Sequence, residues 1–111
     1  MTTMHPQAIL YFWFDELTPA QHFAKDAQLD AAIAQRFGAT LAAAAHGELW
    51  GWRTDAAGRL AEILVLDQFS RNVHRDTPRA FAQDGMALVL AQELVASGQD
   101  RALPAARRAF A

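Results

Sequence analysis

The segment from about Thr54 to Val73 constrains the fold most, because it predicts a helix that is apolar on nearly every side. Apolar residues occupy both sides of its helical wheel: Leu60, Ile63 and Leu64 on one, and Val65, Leu66, Phe69 and Val73 on the other. A helix with so little polar surface must be enclosed by other elements. The chain has 111 residues, of which 52% are hydrophobic. This length suits a single helical domain over residues 1–111.

The remaining segments predict further helices and almost no strand. Capping residues and apolar spacing place helices at about Pro6–Asp15, at a short turn from Thr18 to Phe23, at about Ala27–Ala45, from Thr77-Pro78 to about Ala96, and from Pro104 through Phe110. Leu29, Ile33, Phe37 and Leu41 form the buried stripe of the third of these. Gly38 within it suggests a close approach of another helix, and Gly98 ends the helix that stops near Ala96. We therefore predict an all-α fold of antiparallel helical hairpins.

Composition argues against several classes of function. The formal net charge is −2, without the basic face of a nucleic-acid-binding protein. The sequence contains no cysteine, so disulfides and thiolate chemistry are excluded. The longest wholly apolar run near the N-terminus, Ala8 to Phe14, is far too short to span a bilayer. We expect no membrane association, no signal peptide and a cytoplasmic location.

The predicted apolar helix ends in a group of ionisable residues. Asp67, Arg71 and His74 continue the stripe begun by Leu60, and Asp67 and Arg71 are four residues apart, as an ion pair requires. The short connection that follows brings the next helix back antiparallel, so Asp84 is expected to face Arg71 or Arg75. Asp84 itself shares a helical stripe with Phe81, Leu88, Ala91 and Val95.

Two interpretations of this charged cluster stay open. In the first, the residues form an ion-pair network that fixes the hairpin, since enclosed charges need partners. In the second, Asp67, Arg71, His74 and Asp84 line a pocket, where Arg71 anchors an anion and His74 acts as an acid or base near neutral pH.

Other candidate residues carry weaker signals. Trp50 and Trp52 lie in a glycine-bounded loop and either form a ligand surface with Arg53 or plug a helix junction. Ser70 and His74 have the spacing of a nucleophile and base, but no glycine-rich elbow accompanies them. The four histidines lack a metal-binding spacing. We therefore expect no metal site and no cofactor.

Two stretches resemble a family of bacterial proteins, domain of unknown function 924. They are Ile9 to Phe14 (ILYFWF) and Leu60 to Asp84, which carries LDQFxRNxxRxTPxAFxxD. The resemblance extends to Lys25-Asp26, Phe37 and the loop with Trp50 and Trp52. It implies an all-helical, tetratricopeptide-like fold and brings no established activity.

The sequence departs from the family at three points. Asp76 stands where the family usually has glycine, and His22 stands near an expected aromatic position. Family members usually continue into a further helix beyond the segment that matches Phe110, so this chain is expected to be incomplete relative to them and to leave apolar surface uncovered. We expect a homo-oligomer. The preferred function is a scaffold or protein-interaction domain; the alternative is a protein or enzyme that binds a small anion at the charged cluster.

Overall fold

The computed structural model describes residues 5–23, 25–104 and 107. Its α-helices are α1 (Pro6–Leu10), α2 (Pro19–Phe23), α3 (Ala27–Ala45), α4 (Ala56–Leu64), α5 (Ser70–Val73) and α6 (Asp84–Ala96). Wider π turns at Tyr11–Glu16 and Val65–Phe69 follow α1 and α4, and 3₁₀ turns cover Trp50–Thr54, Pro78–Phe81 and Gln99–Ala102. The described ranges contain no strand, which confirms the all-α prediction. The predicted helix from Pro104 through Phe110 falls largely outside these ranges.

Side-chain caps begin α2 and α3 as predicted, but the cap of α4 is a different residue from the one predicted. The carboxylate of Asp26 accepts hydrogen bonds from the main-chain N–H groups of Gln28 and Leu29 at the start of α3. In the capping box before α2, Gln21 accepts from the N–H of Thr18. The predicted cap at Thr54 is wrong: Asp55 caps α4 by accepting from the N–H of Gly58 at 2.7 Å.

The core forms around three phenylalanines from different parts of the chain. Phe12, Phe37 and Phe69 have ring centroids 5.1–6.0 Å apart and are almost fully buried. Trp13 is fully buried and lies 6.0 Å from Phe69. The predicted stripe of α3 is buried along its whole length. Such edge-to-face and stacked ring pairs contribute roughly 0.5–1.5 kcal/mol each beyond the burial of their area.

Two ion pairs show that α6 runs back along α4 and α5. Arg59, in the first turns of α4, lies 3.7 Å from Glu93 near the end of α6. Arg71 in α5 lies 3.4 Å from Asp84, at the start of α6. The start of α4 therefore lies beside the end of α6, and α5 lies beside the start of α6. The two segments are antiparallel, as the short connection predicts.

Three predicted helices change their helical form along their length. The helix expected at Pro6–Asp15 becomes a π turn at Tyr11. The helix expected from Thr54 to Val73 contains the π turn Val65–Phe69, which shifts the later side chains away from a 100° wheel. The helix expected from Thr77 onward begins as a 3₁₀ turn, and α6 starts only at Asp84. Thr77 does not cap it, because its hydroxyl donates back to the carbonyl of His74.

The prediction for Gly98 is confirmed, and the prediction for Gly38 is wrong. Gly98 adopts a left-handed conformation with φ of 79° at the end of α6, as expected. Gly38 does not mark a close helix approach: a Cβ placed there would meet nothing within 4 Å. Gly38 instead borders an open space beside α3.

Gly58 and Gly85 offer a matched test of this packing, since each lies near the start of a helix. A Cβ at Gly58 would overlap the main-chain oxygen of Trp52, whereas one at Gly85 would meet nothing within 4 Å. We expect Gly58→Ala to lower the free energy of unfolding by about 1–3 kcal/mol and Gly85→Ala to raise it by up to about 1 kcal/mol. Urea denaturation followed by circular dichroism measures both. Equal effects of the two substitutions would contradict the described packing.

Candidate functional site

The charged cluster at the end of the apolar helix forms an ion-pair network around Arg71. Its guanidinium contacts the carboxylate of Asp67 and lies 3.4 Å from the carboxylate of Asp84. The same group lies 5.3 Å from the centre of the Phe81 ring, within the range of a cation–π contact. Arg71 therefore already has two anionic partners, which is the arrangement of the first interpretation. An external anion at this guanidinium would compete with these two carboxylates.

Arg75 does not face Asp84 but binds Asp30 in α3. Its Nε donates to Asp30 Oδ2 at 2.6 Å, and Asn72 donates to Oδ1 of the same carboxylate at 2.8 Å. Burial opposes ionisation of Asp30, but the hydrogen bonds from Arg75 and Asn72 and the nearby positive charges hold its pKa below the usual value. This cluster joins α3 to the end of α5 across more than 40 residues of sequence.

A third ion-pair cluster, centred on Glu62, was not predicted from the sequence. The Glu62 side chain is fully buried in α4, and Arg53 donates to its two oxygens at 2.8 Å each. Arg59 in turn donates to the main-chain oxygen of Arg53 at 3.2 Å. The available signal was a single acidic residue inside the apolar run LAEILVL, because a carboxylate in such surroundings requires a cationic partner.

A pocket of about 170 Å³ lies between α3, α5 and the turn before α6. We call it the Ser70 pocket. Its polar lining comes from Ser70, His74, Arg79 and Gln83, and its apolar lining includes Leu41 and Val73. Of the predicted cluster it contains His74 alone; Asp67, Arg71, Arg75 and Asp84 are not among the lining residues described. Burial lowers the pKa of His74 below its ordinary value, and the nearby Arg79 guanidinium lowers it further. The imidazole is therefore neutral at pH 7 and able both to donate and to accept a hydrogen bond.

The two tryptophans of the predicted ligand surface lie in different surroundings. Trp52 is buried and packs with the core, whereas the Trp50 side chain is 71% exposed. They do not form a shared aromatic surface. Within residues 5–23, 25–104 and 107, no group of three or more potential ligand side chains is arranged to hold a metal ion. No helix in those ranges is long and apolar enough to cross a membrane.

The fold and these clusters define an all-α domain held by internal ion pairs. Comparison with known proteins identifies the family: residues 9–111 match the bacterial protein family of unknown function DUF924. The chain belongs to this family. Its structure is similar to that of ATU0120, a protein of unknown function from Agrobacterium tumefaciens, with a TM-score of 0.89 and 38% sequence identity. The match covers 95% of this chain and 59% of that one, so the chain spans about three fifths of the longer protein. No curated protein matches the chain.

The structure explains two of the departures from the family pattern. Asp76 has a positive φ of 66°, a conformation that favours glycine. Aspartate tolerates it better than most residues, and Asp76 also forms an exposed ion pair with Lys25 at 3.1 Å. The imidazole of His22 stacks on the Trp13 indole, with centroids 4.4 Å apart and planes 5° from parallel.

The Asp30 cluster predicts a defined response to acid. Because the folded protein lowers the pKa of Asp30, the unfolded chain takes up a proton first, and stability is lost as the pH falls from about 4 through the lower folded pKa. We expect Asp30→Asn to be less stable than the unmodified protein at pH 7. The difference should shrink below about pH 4.

Urea unfolding measured from pH 7 to pH 2.5 tests this expectation. Asp15→Asn is the matched control, since Asp15 is exposed and the substitution removes the same charge. Parallel pH curves for Asp30→Asn and the unmodified protein would contradict the role of the cluster.

Proposed function

We propose that the protein is a helical scaffold domain that associates with a second copy of itself through the exposed face of α6. One observation carries the proposal. Leu88, Val89 and Val95 are 59%, 53% and 55% exposed, although their helix already buries Ala87 and Leu90 on its other side. Large apolar side chains gathered on one helix face mark an interaction surface. The predicted helical stripe that contains Asp84, Leu88 and Val95 is thus largely exposed to solvent.

The chemistry of this surface favours a second copy over a charged partner. Between Gly85 and Ala96, the exposed residues are uncharged except for Glu93, which lies at the edge of the face and pairs with Arg59. An uncharged face meets its own copy across a two-fold axis without like-charge repulsion. It offers no ion-pair partner to a strongly charged ligand or nucleic acid.

The proposal includes the tetratricopeptide-like arrangement and the cytoplasmic location expected from the sequence. In such arrays, neighbouring hairpins stack through their helix faces. In the hairpin described here, the exposed side of α6 is the face available for stacking. A single helix face is smaller than the roughly 800 Å² per partner of a standard stable interface. We therefore expect a weak dimer whose population rises with concentration.

Sedimentation velocity over a concentration series tests the dimer. We expect the unmodified protein to shift from monomer toward dimer as its concentration rises, and Leu88→Lys to stay monomeric because it places a buried charge at the centre of the interface. Trp50→Lys is the matched control, since it also replaces a large, exposed hydrophobic side chain with lysine, but outside α6. Circular dichroism verifies that each variant is folded.

Two results would overturn the proposal. One is a monomer at every concentration of the unmodified protein. The other is a Leu88→Lys variant that dimerises as strongly as Trp50→Lys.

A further inference from the structure

The Ser70 pocket contains polar side chains whose hydrogen-bonding capacity is unused. Ser70 is 1% exposed, and its hydroxyl has no hydrogen-bond partner among the described residues. A serine within a helix commonly donates to the carbonyl four residues earlier, and here the hydroxyl does not. Buried hydroxyls without a partner are rare in folded proteins and call for an explanation.

Three further polar groups border the same space. The side chains of His74, Arg79 and Gln83 form no hydrogen bond or ion pair with another side chain in the part of the chain that the structure describes. This contrasts with Arg71 and Arg75 on the same hairpin, which both bind carboxylates. Arg79 is exposed and brings a guanidinium to the pocket lining. No acidic residue is among the described lining residues, so Arg79 has no carboxylate partner within this lining.

The opposite wall of the pocket is apolar and keeps the space open. It is formed by α3, where Gly38, Leu41 and Ala42 lie at the pocket, and Val73 adds to it from α5. Because a Cβ at Gly38 would meet nothing within 4 Å, packing does not require the glycine. A larger residue there would enter the space that the pocket occupies.

We propose that the Ser70 pocket binds a small aliphatic carboxylate. The carboxylate group lies at the Arg79 guanidinium, which supplies a charge-assisted hydrogen bond, and the His74 imidazole, which also lines the pocket, supplies a neutral one. The hydrocarbon part lies against Leu41 and Val73. A cavity of about 150 Å³ accommodates benzene, so the 170 Å³ here has room for about six non-hydrogen atoms, as in butyrate. One guanidinium in a mostly apolar pocket compensates a monoanion better than a phosphate dianion.

Heteronuclear NMR titration of the full chain with sodium butyrate tests the site, with butan-1-ol and inorganic phosphate as comparison probes. We expect saturable shifts at residues of α3 and α5, with at least about tenfold weaker binding of either comparison probe. Arg79→Gln should weaken butyrate binding at least about tenfold. The control, Arg101→Gln, removes an exposed arginine of the 3₁₀ turn Gln99–Ala102 and should leave binding unchanged.

A second pair of variants tests the apolar wall. Gly38→Leu fills the pocket and also favours helix, so it should fold and lose butyrate binding. Ala39→Leu, at the adjacent exposed position of α3, should bind as the unmodified protein does. The proposal is overturned if butyrate causes no saturable shift, if butanol or phosphate binds as tightly, or if Arg79→Gln and Gly38→Leu both bind butyrate normally.

Discussion

The carboxylate of Asp30 is the contact on which the arrangement of the hairpins depends. It receives hydrogen bonds from both Asn72 and Arg75, and so it fixes the end of α5 against the first turn of α3. The Ser70 pocket lies between the same two helices, nearer the end of α3. An apolar contact could slide along these helices, whereas hydrogen bonds to both oxygens of one carboxylate define a single register. The spacing of the pocket walls follows from this contact.

Internal pairing explains why most of the ionisable residues near the hairpin are unsuited to bind a ligand. Arg71 has Asp67 and Asp84, and the buried Glu62 has Arg53. Breaking a buried pair by removing one partner leaves an uncompensated charge, which costs about 3–5 kcal/mol. The side chains of the Ser70 pocket differ because none of them is held by a carboxylate. The functional candidates therefore lie beside the charged cluster that the sequence emphasised.

The sequence predicted those parts of the structure that depend on local chemistry. Short-range spacing in the sequence predicts the caps at Asp26 and Gly98. It also predicts the buried stripe through Phe37 and the pairing of Arg71 with its carboxylates. The pairing of Arg75 with Asp30 could not be predicted, because it joins residues 45 positions apart. The pocket was missed for a different reason. The π turn Val65–Phe69 changes the helical phase, so a 100° wheel misplaces Ser70 and the side chains beyond it.

Two arginines four residues apart in one hairpin have different roles: Arg75 is structural, and Arg79 is available to a ligand. The most direct test compares the free energies of unfolding of Arg75→Met and Arg79→Met by urea denaturation at pH 7. We expect a loss of about 2 kcal/mol or more for Arg75→Met, which leaves the Asp30 charge without its cation. For Arg79→Met, whose side chain is exposed, we expect a change within about 0.5 kcal/mol. Equal losses, or a larger loss for Arg79→Met, would show that the two arginines do not differ in this way.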